Sequence, residues 1–345
     1  KEEQTMSNAE DQPQYSKKDF MSDQMIRWCP GCGDYAILSQ VQTVFAGLGI
    51  PKEKFAVISG IGCSSRFPYY MNTFGFHTIH GRAPAVATGL KLANPDLSVW
   101  MISGDGDSLS IGGNHMIHIL RRNVNIQYLL FNNRIYGLTK GQYSPTSEVG
   151  KKTKSTPMGS LDHPFEPCAI ALGADGTFVA RTVDIFVKEQ RQVLIEAEAH
   201  QGTSFVEIFQ NCNIFNDGAF TNVTDRKTRD EAVLFVKNGE PLVFGGKAGP
   251  LKGIRLTPKL GVEVVEIGEE GPGDDILVHD ETNPVLANLL ARMRPPFPVA
   301  MGVLYRVDRP TYDDAVHQQL EVAAKTPSAG DLSKALYSGS TWVVE

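Results

Sequence analysis

No run of about 18 apolar residues occurs in this chain, so nothing in it reads as a helix that crosses a membrane. The N-terminal stretch from Lys1 to Met6 and beyond is polar, without the apolar core of a secretory signal. Met6 reads as the natural start, and residues 1–20 as a mobile tail. Positive charge is not in excess: 33 Lys and Arg stand against 39 Asp and Glu, a net charge of −6, which argues against a nucleic-acid surface. Cysteine is scarce and odd in number, at five. A chain of 345 residues buries a core large enough to stand without staples, so a disulfide framework is excluded.

What is present is concentrated in two signals. The first is Gly104-Asp105-Gly106 with Asn132-Asn133, Asp105 and Asn133 lying 28 positions apart. Each closes a short apolar run, Ser98–Ser103 and Asn125–Phe131. Such runs ended by turn formers read as buried strands, and Ile111–Asn123 between them reads as a helix. Strand, helix, strand is a parallel crossover. It brings both loops to one edge of the sheet, where open α/β sheets bind ligands. Asp105 offers a carboxylate oxygen there, Asn133 an amide oxygen and Ile135 a main-chain carbonyl, a hard donor set for Mg²⁺ that leaves room for phosphate and water. Gly104 and Gly106 let the backbone come close, and the following helix points its N-terminus at the anion. The arrangement resembles the thiamine diphosphate motif.

The second signal is the thiols. Cys29 and Cys32 form a Cys-x2-Cys knuckle in Trp28-Cys-Pro-Gly-Cys-Gly33. Cys63 follows the strand Phe55–Ser59, and Cys212 follows the strand Ser204–Phe209, so all four can meet at the edge that holds Asp105. With one knuckle and no second, a [4Fe–4S] cluster suits them better than zinc. Structural zinc, a redox-active knuckle and plain buried thiols remain as alternatives. Cys168 reads as a core thiol at a helix start.

Together the two signals resemble the β subunit of the 2-oxoacid:ferredoxin oxidoreductases over about residues 20–225. The stretches that carry this are Trp28–Gly33, Gly60–Ser65, His80-Gly-Arg-Ala83, Ala93-Asn-Pro95, Gly104-Asp-Gly-Asp107, Asn132–Gly137 and Thr139-Lys-Gly-Gln142. Ile111–His115, Ser144-Pro-Thr146 and Gln210–Asn216 are most like the 2-oxoglutarate branch.

The resemblance implies a thiamine diphosphate-dependent oxidation of a 2-oxoacid, with coenzyme A as acyl acceptor and ferredoxin as electron acceptor, or the reverse carboxylation. Cys29, Cys32, Cys63 and Cys212 would ligate the cluster, and Asp105, Asn133 and Ile135 the Mg²⁺. Gly62, Ser64, His80, Gly81, Arg82, Gly104, Gly106, Asp107, Tyr136, Gly137, Leu138 and Thr139 would join Asp105, Asn133 and Ile135 around the cofactor. Arg66, three residues past Cys63, aligns with a cation that faces substrate, and His80 would serve the reacting end. His115 could touch cofactor or substrate, whereas His118 reads as packing.

The carboxylate that activates the aminopyrimidine ring would come from an α subunit, because the chain holds no second sheet of this pattern. A cytoplasmic, low-oxygen setting follows for an oxidisable cluster. A pyruvate-type enzyme, a non-redox thiamine decarboxylase with structural zinc, and a non-catalytic module on the same fold are the alternative functions.

The expected fold is α/β: a doubly wound, mostly parallel sheet of the thiamine diphosphate-binding type over residues 21–225, then an extension over 226–345 that packs on the partner. Helices are expected at Asp34–Leu48, Pro84–Leu92 and Asp184–His200, the last capped by Asp184, with Thr153–Pro167 a long loop. Lys151-Lys-Thr-Lys154 reads as solvated loop, with a coenzyme A phosphate contact as the alternative. The parallel core is expected to end with Ser204–Phe209. Beyond it, short antiparallel strands are expected at Pro241–Phe244, Gly253–Thr257, Val262–Ile267 and Ile276–His279, and helices at Pro284–Arg294 and Tyr312–Ala324.

Overall fold

The computed structural model describes residues 13–247, 249–259, 261–325 and 330–344. Eight strands form its main sheet: β1 (Phe55–Ser59), β2 (Phe74–His77), β3 (Ser98–Gly104), β4 (Ile126–Asn132), β5 (Phe178–Val183), β6 (Thr203–Phe209), β7 (Val233–Phe235) and one from near the C-terminus. That last is β11 (Val299–Arg306). The strands β8 (Val243–Gly245), β9 (Leu251–Leu256) and β10 (Val262–Glu266) form a separate antiparallel sheet. The main sheet runs β2-β1-β3-β4-β6-β5-β11-β7. Its first six strands are parallel, β11 runs antiparallel to β5, and β7 runs parallel to β11.

Strands β1, β4, β5 and β6 are buried at every position, as expected where helices cover both faces of a parallel sheet. Helix α1 (Asp34–Gly47) turns Ile37, Val41, Val44 and Phe45 inward, a spacing that draws one apolar stripe along a helix. With α6 (Val187–Ala199) it packs the face that carries Val57, Trp100, Leu129 and Val206. Helices α2 (Ala83–Ala93), α4 (Gly113–Arg122) and α5 (Pro167–Gly173) cover the other face, with helix Pro284–Arg292 beside them. A five-residue helix, α3 (Asp105–Leu109), joins β3 to α4.

Several expectations are corrected. Residues 1–12 of the expected tail lie outside the described residues, but Lys17–Phe20 form a short 3-10 helix. Phe20 is fully buried against Tyr15, Phe45 and Phe55. The main sheet does not end with β6, because β7 and β11 from the C-terminal third extend it beyond β5. Ile276–His279 makes isolated bridges to Arg255 and Pro241 in place of a strand. Helix α6 begins at Val187, and the Asp184 carboxylate accepts the main-chain N–H of Asn211 at 2.9 Å instead of capping it. Cys168 is fully buried on α5, as expected.

Candidate active site at the carboxyl edge of the sheet

The parallel order puts the ends of β1, β3, β4 and β6 on one edge. A cleft of about 510 Å³ opens there, lined by Ile61–Ser64, His80, Gly104–Asp107, Asn133 and Ile135–Thr139. Asp105, the first residue of α3, is buried at its floor. One oxygen, Oδ2, accepts from the Ser144 hydroxyl at 2.5 Å and lies 2.6 Å from that of Thr146. Burial pushes the Asp105 carboxyl up to about 6, even though both hydroxyls favour its charged form. A buried acid held in that way suits a site that places a cation beside it. Asn133 Oδ1 accepts from Ile135 N–H at 3.1 Å, and its amide donates to Gln210 Oε1 at 2.9 Å. The donor set expected for Mg²⁺ is therefore together in one cleft.

Asp107 lines the cleft, and its carboxylate is engaged by the chain's own groups. Its Oδ1 accepts from His80 Nδ1 at 2.6 Å, Gly81 N–H at 2.7 Å and Ile61 N–H at 3.1 Å, while Oδ2 accepts from Ser103 at 2.5 Å. Four donors occupy it, so it pins three loops of the cleft and leaves His80 Nε2 as that ring's remaining nitrogen. Arg82 does not line the cleft: its guanidinium donates to the carbonyls of Ile111 and Gly81. Gly81 contributes through its N–H and packs against Gly112. Gly106 is required by a neighbour, since a Cβ there would stand 2.2 Å from the Tyr136 ring, whose hydroxyl donates to Gly106 O.

The thiols converge beside this cleft. A Cβ on Gly137 would lie 3.3 Å from Cys63 Sγ and 3.6 Å from Cys212 Sγ. Gln210, whose Oε1 holds Asn133, donates from Nε2 to Cys32 Sγ at 3.3 Å. Cys29 closes the same turn, accepting Cys32 N–H on its carbonyl. Burial raises the Cys63 thiol to about 12, with Asp34, Cys212 and Cys29 adding to it, and raises Cys32 further. Thiols so crowded hold their negative charge only with a cation among them. Among the described residues no three His, Cys, Asp or Glu side chains meet closely enough for a single metal ion. A cluster of several irons spreads its cysteines wider, because each thiolate binds a different iron.

Arg66 lies outside the cofactor cleft, in an adjoining one. Neither His115 nor His118 lines the cofactor cleft. Lys151 is taken up by Glu148 at 3.0 Å and by Asn216. Sequence reasoning gave no role to Gln210 or Thr146. Their positions, just past β6 and in the loop after β4, were the available signal.

The chain matches the family model for the thiamine pyrophosphate enzyme, C-terminal TPP binding domain, over residues 60–208. It is 52% identical over 341 residues to 2-oxoglutarate oxidoreductase subunit KorB of Mycobacterium tuberculosis, covering 97% of this chain and 90% of that one. It is 36% identical over 293 residues to 2-oxoacid:ferredoxin oxidoreductase 2, subunit beta, of Aeropyrum pernix, covering 84% and 92%. Among solved structures it is similar to 2-oxoglutarate:ferredoxin oxidoreductase from Magnetococcus marinus with 2-oxoglutarate, coenzyme A and succinyl-CoA bound. That match has a TM-score of 0.76 and 35% identity, over 95% of this chain and 97% of the other.

Proposed function

The chain belongs to the β subunits of the 2-oxoacid:ferredoxin oxidoreductases, and from that premise we propose the reaction it carries out. With an α subunit it oxidatively decarboxylates 2-oxoglutarate to succinyl-CoA and CO₂, or runs the reverse, exchanging single electrons with ferredoxin. The observation that carries this is the meeting of two sites at Gly137: Asp105, Asn133 and Ile135 line the cleft together with Cys63, and Cys63 and Cys212 both come close to Gly137.

Bound thiamine diphosphate would supply the nucleophile and the electron sink that decarboxylation of a 2-oxoacid needs. The chain's own residues account for the rest. Asp105, Asn133 and the Ile135 carbonyl would hold Mg²⁺, which would supply charge to neutralise a diphosphate. His80, oriented by Asp107, offers Nε2 toward the reacting end. Cys29, Cys32, Cys63 and Cys212 would hold a [4Fe–4S] cluster, whose chemistry is one-electron transfer. The activating carboxylate belongs to the partner. No helix among the described residues is long and apolar enough to cross a membrane, and an oxygen-poor cytoplasm suits the cluster.

The test is anaerobic. Co-expressed with its α subunit and given 2-oxoglutarate and coenzyme A, the chain is expected to reduce a low-potential one-electron acceptor, and alone to turn over negligibly. Faster reduction with pyruvate would replace the substrate. The Cys212→Ala complex is expected to lose the broad visible absorption of the cluster, along with its iron and acid-labile sulfide. A cluster that survives this change, or stays with the α subunit when the chains are parted, would move the ligands elsewhere.

A further inference from the structure

A second cleft of about 510 Å³ adjoins the first, and the two share Gly62 and Leu138 in their walls. It is lined by two arginines, Arg27 and Arg66, with Met25 and Tyr69 as its apolar sides. The arginines come from separate segments that are locked together. Arg27 N–H donates to the Tyr70 hydroxyl at 2.9 Å, and the Trp28 indole donates to the Cys63 carbonyl at 2.6 Å. The Trp28 ring packs edge-on against Tyr70. Arg27 is thereby fixed to the turn Ser64–Tyr70, which carries Arg66. Among the described residues neither guanidinium forms an ion pair.

Two cations beside the cofactor cleft are one more than a monocarboxylic 2-oxoacid needs. 2-Oxoglutarate has two carboxylates joined by a ketone and two methylenes. Its reacting carboxylate must lie at the cofactor, which leaves the distal one to be neutralised further out. Arg66 sits three residues after Cys63, which lines the cofactor cleft, and Arg27 lies on the separate segment before the Cys29 knuckle, whose residues do not line that cleft. We propose that Arg27 determines specificity by binding the distal carboxylate of a dicarboxylic 2-oxoacid, with Met25, Tyr69 and Leu138 along its methylenes. A guanidinium offers a carboxylate two parallel hydrogen bonds, and a monoacid leaves that group unanswered.

This rests on the 2-oxoglutarate reading, and the experiment separates the two. The αβ complex is prepared with Arg27, Arg27→Gln and Arg27→Lys, and assayed with 2-oxoglutarate and with 2-oxopentanoate, the monoacid of equal chain length. Losing a charge-assisted contact is expected to lower kcat/KM for 2-oxoglutarate about 10- to 100-fold. The loss should fall mainly on KM, with kcat/KM for 2-oxopentanoate held or raised, partial recovery in Arg27→Lys and thiamine diphosphate content unchanged. An equal fall with both substrates, or no fall with 2-oxoglutarate, overturns the role of Arg27. A wild-type complex that does not prefer 2-oxoglutarate to 2-oxopentanoate overturns the underlying reading, and the proposal with it.

Discussion

Asp105→Ala in the αβ complex is expected to abolish retention of thiamine diphosphate and, with it, turnover. Removing a side chain that merely orients a metal ligand costs about 10- to 100-fold in affinity, so removing a ligand itself should exceed about 100-fold. Calorimetric titration of the cofactor in the presence of Mg²⁺ measures this directly. Asp105→Asn separates charge from shape, since its amide oxygen can still accept from Ser144 and Thr146.

The same residue makes a pH prediction of opposite sign for the empty protein. Burial raises the Asp105 carboxyl to about 6 in the folded state, above its unfolded value. Its contribution to cofactor-free stability is therefore present below its unfolded pKa, near 4, and is lost as pH rises through about 6. At pH 7 the cofactor-free Asp105→Asn complex should melt higher than the parent, and at pH 4 the advantage should shrink. An Asn variant that melts lower at pH 7 would show that the site is not short of a cation. A variant that binds the cofactor normally would remove Asp105 from the metal.

Glu207→Ala is expected to be the most damaging change to the fold. Arg181 on β5 and Glu207 on β6 are register partners, joined Nε to Oε2 at 2.8 Å, and both are essentially inaccessible. Glu207 also accepts from the Asn132 amide at 2.8 Å and faces the Cys168 thiol at 3.2 Å. Arg181 further donates to the Ala291 carbonyl at 3.1 Å. Removing Glu207 leaves the buried Arg181, among the described residues, with only the longer ion pair to Glu166 at 3.8 Å, and breaking such a buried pair costs about 3–5 kcal/mol. In thermal unfolding that should lower the midpoint by about 6 °C or more. The paired replacement Arg181→Met with Glu207→Leu should recover most of it, because apolar residues of similar volume remove the desolvation cost as well as the attraction. If the pair is no better than Glu207→Ala alone, the loss comes from Asn132 and Thr146, which Glu207 supports beside Asp105, and cofactor affinity should fall with it.

These two predictions show what the sequence made legible. That Asp105, Asn133 and Ile135 share one edge was legible from their places just past two strands, and the structure brings them into one cleft. That Cys63 and Cys212 meet beside it was legible from their places just past two other strands. The β5 strand was missed because Arg181 interrupts an apolar run, and its excuse, Glu207, sits 26 residues later on a neighbouring strand. The β11 strand was hidden by Gly302 and by the prolines that precede it. Asp107 was placed at the cofactor because its motif is continuous with Asp105; the four donors that its carboxylate gathers come from three separate segments and carry no signal in sequence. Arg27 carried no signal, since a lone arginine before a knuckle resembles any surface arginine.

The position of β11 bears on how the protein is made. It pairs with β5 through contacts such as Gly302 with Arg181, which lie 121 positions apart. At about 5–20 residues per second on the ribosome, β5 waits roughly 6–24 s with one backbone edge unpaired. Such an edge invites pairing with other chains. Yield of the intact protein should therefore depend on chaperone supply during synthesis more than on the stability of the finished sheet, and a chain cut after residue 225 would carry that open edge permanently.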